Sequence, residues 1–524
     1  MNTSEITLMQ PAQNQHLQED GGRGVGASRL QFVILPLLGA ALLLTNRWFT
    51  EVDDECAIID RAAQPITRTI NLYLSGAGEH EHPPLYDLVL HVWLRLTGGE
   101  QHLLRLPAIL FYLSGAWVLA SLARRQAGRA AQVCVLLLVA LWPYGFHFGR
   151  VATWYSFCFL LVALLTWNYF CYLESRRLAN WFWLVLCSLL LVYSNYFGWA
   201  LLACVALDFI IQNRKMPLKT WVELAGTGAL LLVLYIPIGS AFLREIHEGV
   251  KPGGRLVTLV FTGIYSLYSI FASESVAPWF WLLGVPVAVA IVICLVMIFV
   301  AAPLQARRFL LYFAVLTVVM ALLGISNTKR MLFISPWLIL PTGIALAADK
   351  SKLTQRILLP ALLFIAAIGW YGIFLRTWYA APHWIEPWRA IAQDAAAIAR
   401  SGGIVIGNNP SFFFYLTYDV ARGSNQSGGF DGLLPDSTRS PNVYDAQQWI
   451  EAGHPGALRT ILVKGLPSDS VGMQEAERWL NDRCVLQNTR QMVHDPGAEW
   501  KQRYAPETGQ LAWRIQIVSY ACDR

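Results

Sequence analysis

The sequence has little charge. Of its 524 residues only 14% are Asp, Glu, Lys or Arg, where a soluble domain has roughly 25%, and 55% are hydrophobic. This scarcity excludes an ordinary soluble globular protein. The formal charge of +6 is modest, and the basic residues sit mostly in short loops. We therefore read the basic excess as a sign of membrane orientation and expect no nucleic-acid partner.

Metal-type cysteine spacing, internal repeats and low-complexity tracts are also lacking. Most of the nine cysteines lie within apolar runs, where Cys behaves as a small hydrophobe. Cys484 and Cys522 differ because they are the two cysteines of the C-terminal tail, each beside an Asp-Arg pair. In an oxidising compartment they would form a disulfide; two buried free thiols are the alternative.

Apolar runs of about spanning length fill the first 376 residues. The stretch from Trp181 to Ile211 is interrupted at Asn195 to Gly198, which indicates two short helices. The other runs are Leu30 to Phe49, Leu103 to Leu122, Ala131 to Phe146, Trp154 to Leu173, Thr220 to Leu243, Pro278 to Ala302, Phe309 to Ile325, Leu332 to Ala348 and Ile357 to Leu375. The sequence therefore predicts an α-helical polytopic membrane protein with about 11 transmembrane helices.

Five clusters of basic residues predict which loops are cytoplasmic under the positive-inside rule. They are Arg124 to Arg129, Arg176 with Arg177, Arg214 to Lys219, Arg307 with Arg308, and Lys350 to Arg356. Residues 1–29 then form a cytoplasmic tail, and the first span is a retained signal anchor. This alternation makes residues 50–101 one external loop. Its segment Pro84 to Leu96 is roughly 20 Å long as a helix, too short to cross, and is expected to be amphipathic and to lie on the membrane surface.

The same alternation puts three further segments outside: Phe148 to Val151, Arg244 to Ala277 and Ser326 to Arg330. Residues 377–524 follow the last span and change in character, with Gly, Pro, Asn and Asp between short apolar runs. Strands are predicted at Gly403 to Ile406, Thr460 to Val463 and Ala512 to Val518, and helices at Trp388 to Ala399 and Gly472 to Leu480. We expect a small extracytoplasmic α/β domain after the transmembrane domain of residues 30–376.

Chemistry is indicated by a dense acidic cluster that directly follows the first span: Glu51, Asp53, Asp54 and Glu55. Carboxylates at a lipid boundary are costly unless they are used or solvated. A carboxylate can act as the base for an acceptor hydroxyl, and cations or a metal can stabilise a phosphate leaving group. Cationic side chains at the outer ends of spans are Arg105, Lys329 and Arg330.

Simpler interpretations stay open for each of these features. The acidic cluster is also what a solvated loop start would show, and external arginines often snorkel to lipid headgroups. The run Glu79 to His82 is weak evidence for a metal site, so no cofactor is assigned and a divalent metal stays an alternative. The excess of Trp and Tyr suits sugar stacking but also an interfacial belt.

Three ordered segments carry a family resemblance: Asp54-Glu55, His82-Pro83-Pro84-Leu85-Tyr86 and Arg105-Leu106-Pro107. Their order resembles the signature of bacterial relatives of protein O-mannosyltransferases and aminoarabinose transferases, in the GT-C superfamily. Tyr193 to Gly198 is similar to the family's aromatic-Gly break, and Asn327 to Pro336 to its Arg-containing start of a late span. The similarity covers most of Arg29 to Leu375.

The resemblance implies roles for particular residues. Asp54 is expected at the catalytic centre with Glu55 beside it, and Arg105 and Arg330 are expected to face the donor phosphate. Lys329 and Arg150 join the predicted phosphate-binding group, and the substrate loop holds Asp53, Glu81, His82 and Tyr86. The chain departs from its relatives in the second external loop: they often carry an acidic residue and an arginine there, and this chain offers only Arg150 as a charge.

The sequence therefore predicts a bacterial inner-membrane glycosyltransferase with its active site on the periplasmic side. Its donor would be a polyprenyl-phosphate sugar, and its acceptor a glycan, lipid or protein. A transporter or flippase of lipid-linked sugars is the alternative from another class, although the two related halves that would favour it are not apparent. A non-catalytic partner of a polysaccharide assembly machine is the third interpretation.

Overall fold

A computed structural model describes most of the chain. The described residues are 25–49, 53–75, 82–213, 217–249, 256–323, 328–348, 352–375, 387–409, 411–416, 442–455, 459–466, 471–491 and 514–522.

Helices dominate the described residues up to Leu375, as the apolar composition of this region predicts. They are α1 Val25–Leu44, α2 Asp53–Ala63, α3 Ile66–Ser75, α4 Leu85–Thr97, α5 Leu106–Leu141, α6 Pro143–Phe148, α7 Trp154–Ser175, α8 Leu178–Val192, α9 Gly198–Gln212, α10 Leu218–Gly249, α11 Leu256–Ala272, α12 Trp281–Ala301, α13 Leu304–Leu322, α14 Pro336–Ala347 and α15 Lys352–Leu375. A 3₁₀ segment, Thr328–Ile334, precedes α14 and is bent from it by 62°.

Within the described residues, six helices are long and apolar enough to cross a membrane, or seven if the bent 3₁₀–α14 pair is one span. Four shorter apolar helices accompany them: Leu30–Leu44, Leu178–Val192, Gly198–Gln212 and Leu259–Ala272. The predicted helical membrane fold is confirmed, and so is the break of the apolar stretch at Asn195 into α8 and α9. The predicted number of 11 spans is not confirmed.

Helix α5 is a hairpin of two antiparallel halves. Its backbone leaves helical geometry at Ala127 and Gly128, and Gly128 has a φ of 80°, which glycine adopts without a steric penalty. The Tyr112 hydroxyl donates to the Val139 carbonyl at 3.5 Å, although 27 residues of straight helix would separate them by roughly 40 Å. The chain therefore reverses within the predicted basic loop Arg124 to Arg129.

Basic clusters meet at one end of the bundle, as the alternation of loops requires. Arg125 at the α5 reversal pairs with Glu174 at the end of α7, and the Arg176 guanidinium donates to Asn213 at 2.8 Å, at the end of α9. The N-terminal end of α7 lies at the opposite end, where Tyr155 meets Asp54. Helix α7 thus connects the basic end with the acidic cluster.

The described part of the segment predicted as the first external loop contains three short helices, α2, α3 and α4, of which the sequence predicts only α4. The inward face of α4 is mixed, because polar Asp87 and His91 are buried together with apolar residues, whereas Arg95 is exposed. Asp87 accepts from Arg61 of α2 at 2.9 Å, and His91 Nδ1 lies 2.7 Å from the Ala62 carbonyl. Apolar Leu96 is exposed on the outer face, which suits contact with lipid.

The segment Arg244 to Ala277, predicted as an external loop, contains helix α11, which the sequence did not predict. Gly263 of α11 lies against Ala321 at the end of α13, and Ser273, just after α11, lies 3.2 Å from His147 Nδ1. Leu256–Ala272 has 17 residues, so its helix is about 25 Å long and somewhat short for a crossing. Helix α11 packs at the same end as Asp54.

The C-terminal region forms the predicted α/β domain. After α16 Trp388–Arg400 come β1 Ile404–Gly407, β2 Val443–Asp445, α17 Ala446–Glu451, β3 Thr460–Leu466, α18 Val471–Arg483, β4 Cys484–Gln491 and β5 Arg514–Cys522. The strand order is β2-β1-β3-β5-β4; β1 pairs parallel to β2 and β3, whereas β5 runs antiparallel to β3 and β4. The sequence did not predict β2 or β4.

The predicted Cys484–Cys522 disulfide is present in the sheet, with Cα atoms 4.4 Å apart. The two cysteines face each other in the register of β4 and β5. The bridge therefore joins the start of β4 to the end of β5, and the alternative of two free thiols is not observed.

Candidate active site

The candidate site centres on an ion pair between Asp54 and Lys329. Asp54 lies in the first turn of α2, and Lys329 lies in the 3₁₀ segment before α14, 275 residues later. The Lys329 ammonium donates to Asp54 Oδ2, and the Tyr155 hydroxyl donates to the same oxygen at 3.4 Å. The Asp54 side chain remains 37% exposed, so a substrate can reach this carboxylate.

Two cations control the ionisation of Asp54. Partial burial alone would raise the pKa of its carboxyl, but the charges of Lys329 and then Arg330 outweigh burial and hold the pKa below its ordinary value. Asp54 is therefore a carboxylate at neutral pH, ready to accept a proton, and two positive charges lie next to it.

An aromatic cluster adjoins these charges. The rings of His82 and Trp154 have centroids 4.5 Å apart, and Trp154 also contacts Phe333 at 5.7 Å. Burial, with help from the positive charges of Arg330, Arg61 and Lys329, holds the pKa of His82 well below its ordinary value, so the imidazole is neutral. The His82 ring is tilted by 55° to the buried Trp154 indole and is itself partly exposed, so it is the ring of this cluster that a sugar can reach.

Glu55 and Arg105 are brought together, but deep in the fold. The Arg105 guanidinium donates to both Glu55 oxygens, through Nε at 2.7 Å and Nη2 at 2.6 Å, and both side chains are at most 1% exposed. The Ala152 N–H also donates to Glu55, at 2.8 Å. This arrangement ties α2 to the start of α5 and to the segment before α7.

The third Arg105 nitrogen is also engaged. Nη1 donates to the carbonyl of Phe49 at 3.0 Å and to the carbonyl and side-chain oxygens of Asn46 at 3.2 Å. Every nitrogen of this guanidinium thus contacts a protein acceptor. The geometry favours a structural role for Arg105 over the predicted contact with a donor phosphate.

Arg150 is likewise buried. Its Nε donates to the Phe146 carbonyl at 3.0 Å and its Nη1 to Thr45 at 2.9 Å, and the guanidinium lies over the Phe49 ring at 4.7 Å. The side chain is 0% exposed, so Arg150 joins α1 to α6 from inside the protein. This placement does not favour the predicted phosphate contact.

The predicted substrate-loop residues divide into two groups. His82 lies in the site, and Tyr86 is buried behind it, where burial and then the negative charges of Glu55 and Asp87 raise the pKa of the phenol well above its ordinary range. Asp53 begins α2, but its side chain lies outside the described residues, as does all of Glu81.

Glu274, which follows α11, lies near the site but was not predicted from the sequence as a site residue. Its buried carboxylate accepts a hydrogen bond from the Thr328 hydroxyl, and the Tyr144 hydroxyl donates to the Thr328 carbonyl at 2.6 Å. Thr328 precedes Lys329 and Arg330. Glu274 thus supplies a second carboxylate beside the cationic segment, from the loop after α11 rather than from the second external loop. An acidic residue between apolar stretches was the available signal.

The described residues include no group of three or more His, Cys, Asp or Glu side chains placed to hold a metal ion. Glu79 to Glu81, most of the run considered as a metal site, lie outside the described part of the chain.

Comparisons with known proteins agree with this architecture. Residues 81–238 match the model of the family described as dolichyl-phosphate-mannose-protein mannosyltransferase. The fold is similar to that of ArnT from Cupriavidus metallidurans bound to undecaprenyl phosphate, with a TM-score of 0.54 and 14% identity over 95% of this chain and 98% of that chain. The apo state of ArnT gives a TM-score of 0.52 and 14% identity over 94% and 98%. No curated protein sequence matches the chain significantly.

The shared fold extends over nearly the whole chain, including the C-terminal domain. The predicted resemblance to GT-C glycosyltransferases and the predicted GT-C-like fold are therefore confirmed.

Proposed function

We propose that this chain is a GT-C-type membrane glycosyltransferase that transfers a hexose or pentose from a polyprenyl-phosphate donor to an acceptor outside the cytoplasm; its family match and its fold support this. The observation that carries the proposal is the exposed Asp54 carboxylate beside Lys329 and Arg330, at one end of an apolar helical bundle. A water-borne acceptor and a lipid-borne donor can meet there.

The donor fits this site through its phosphate. When the anomeric bond of the phosphodiester donor breaks, the departing polyprenyl phosphate gains negative charge, and nearby cations lower that barrier. Lys329 and Arg330 are the proposed cations, whereas Arg105 and Arg150 hold the surrounding segments from inside. Undecaprenyl phosphate bound to the ArnT fold supports a polyprenyl phosphate as the carrier.

Asp54 is the proposed general base. As the bond from the anomeric carbon to the phosphate oxygen breaks, the acceptor hydroxyl oxygen bonds to that carbon and its proton passes to an Asp54 oxygen. The lowered pKa makes Asp54 a weak base. A weak base suffices because the hydroxyl becomes strongly acidic once its oxygen has begun to bond. The partly exposed His82 ring, backed by Trp154, would contact the sugar ring.

The basic loop clusters and the resemblance to bacterial enzymes favour the bacterial inner membrane as the location, with the Asp54 end and the α/β domain on the periplasmic side. The acceptor would be a glycan, a lipid or a protein.

The test is to incubate the full-length protein in lipid nanodiscs with a panel of polyprenyl-phosphate hexoses and pentoses. We expect one donor to be consumed, with release of polyprenyl phosphate and transfer or slow hydrolysis of the sugar. In matched proteoliposomes, movement of an intact donor between leaflets without consumption would instead indicate a flippase. If donors are neither consumed nor moved, the assembly-partner interpretation stands and the proposal fails.

A further inference from the structure

A second site lies at the opposite end of the bundle from Asp54. Tyr155 and Tyr172 occupy the two ends of α7, 17 residues or roughly 25 Å apart. Tyr172 therefore lies among the basic clusters, at the membrane face predicted to be cytoplasmic. Nothing in the proposed glycosyl transfer uses this region.

Two neighbouring cavities open here. A polar cavity of about 1000 Å³ is lined by Arg176, Asn213, Lys219 and Glu223, among others. An apolar cavity of about 330 Å³ runs between α7, α8, α9 and α10. The cavities share four lining residues, Tyr172, Trp181, Glu223 and Thr227. A polar chamber that continues into an apolar groove between helices has the form of a site for an amphiphile.

The polar chamber carries both signs of charge. Arg176 and Lys219 line it together with Glu223, which accepts from the Tyr172 hydroxyl at 3.2 Å. Arg176 is held in position: its guanidinium donates to Asn213 at 2.8 Å and lies 4.9 Å from the centroid of the Tyr172 ring. Its φ of 48° lies in the left-handed region, which is disfavoured for arginine and is retained where the surroundings enforce it.

The groove is suited to an acyl chain. Leu184, Leu202, Phe209 and Leu231 are among the side chains that line it. Gly228 of α10 also faces it, and a Cβ atom added there would meet nothing within 4 Å. The absence of a side chain at position 228 therefore leaves room for the chain.

We propose that this cavity pair binds a phospholipid whose head group carries both a phosphate and a primary ammonium. The phosphate would lie against Arg176 and Lys219, the ammonium against Glu223, and one acyl chain in the groove beside Gly228. Charge complementarity favours a zwitterionic occupant, because the described lining sets the cations Arg176 and Lys219 beside the Glu223 carboxylate, and a purely anionic head group offers that carboxylate no positive partner.

The test uses the full-length protein, delipidated in neutral detergent, and native mass spectrometry after addition of phosphatidylethanolamine or phosphatidylglycerol. The parent should retain one phosphatidylethanolamine in preference to phosphatidylglycerol. Glu223→Gln should weaken phosphatidylethanolamine binding about tenfold and erase the preference, because one charge-assisted contact is lost. Arg176→Gln should weaken the binding of both lipids.

Two matched variants on α10 test whether the acyl chain lies in the groove. Gly228→Phe fills the groove and should abolish retention, whereas Gly239→Phe adds the same side chain to the same helix at an open position outside the lining and should leave retention intact. Thermal unfolding checks that both variants are folded. Equal retention of the two lipids by the parent would overturn the proposal. Unchanged retention in Gly228→Phe would overturn it as well.

Discussion

Glu55 and Arg105 form a two-point ion pair in the core, with N–O distances of 2.7 and 2.6 Å, while the neighbouring Asp54 points to an accessible site. Consecutive residues of a helix project about 100° apart. Two adjacent carboxylates of one acidic cluster can therefore serve different purposes. Glu55 anchors α2, and Asp54 remains accessible for the proposed chemistry.

Breaking the Glu55–Arg105 pair should destabilise the protein. Arg105→Met leaves the Glu55 carboxylate buried without its counter-ion, which costs about 3–5 kcal/mol in comparable pairs. We expect a clearly lowered Tm in detergent. Unfolding would be monitored by tryptophan fluorescence. The double variant Arg105→Met with Glu55→Gln should recover part of the loss because the buried charge is gone. A parent-like Tm combined with a raised KM for the donor would instead indicate that Arg105 binds the donor phosphate.

Removal of Lys329 should shift the acidic side of the pH–activity profile to higher pH. In the parent, the pKa of Asp54 lies below its usual value of about 3.9, so protonation of Asp54 should not lower kcat/KM above about pH 5. In Lys329→Gln the strongest opposing charge is lost while burial remains, so the pKa rises and activity falls earlier on acidification. The measurement is kcat/KM from pH 4 to pH 8. Arg478→Gln, which removes an exposed charge from α18, is the control and should keep the parent profile.

Glu274 is expected to position the cationic segment through Thr328. Thr328→Val removes the hydroxyl that donates to the Glu274 carboxylate, a contact to a charged group worth roughly 1.5–3 kcal/mol. We expect a several-fold rise in donor KM and an upward shift of the acid limb, because Lys329 is no longer held against Asp54. Thr328→Ser should restore both. A loss of stability with unchanged KM and pH profile would indicate a purely structural contact.

Local patterns were sufficient for much of the fold. The 3.6-residue periodicity predicted α4, α16 and α18, and the basic run Arg124 to Arg129 indicated where α5 reverses. Helix α11 was missed because Leu256–Ala272, at 17 residues, was counted within a loop between longer apolar runs.

Long-range pairing could not be read in the same way. Arg105 was assigned to phosphate from its place at the end of a span, but its partner Glu55 is 50 residues away, and only the fold shows that this charge is already neutralised. Similarly, Glu274 meets Thr328 across 54 residues. Whether a charged side chain is used inside the protein or offered to a ligand depends on such contacts.

The C-terminal domain should depend on its disulfide. The Cys484–Cys522 bridge closes a loop of 38 residues, which in the chain-entropy model contributes roughly 3–4 kcal/mol to the free energy of unfolding of this domain. Both thiols should resist alkylation until a reductant is added, and Cys522→Ser should lower the midpoint of domain unfolding. Alkylation of either cysteine in the untreated protein, mapped by mass spectrometry, would contradict the bridge.

The central claim is that Asp54 is the base of a glycosyl transfer, and the most direct measurement is the initial rate of polyprenyl phosphate release from the cognate donor in nanodiscs. We expect Asp54→Asn to lower this rate by about 10² to 10⁴, the usual contribution of a general base, with a parent-like Tm because a partly exposed carboxylate buries little apolar area. Asp53→Asn, the neighbouring change in the same acidic cluster, should cost much less. A near-parent rate in folded Asp54→Asn would contradict the account.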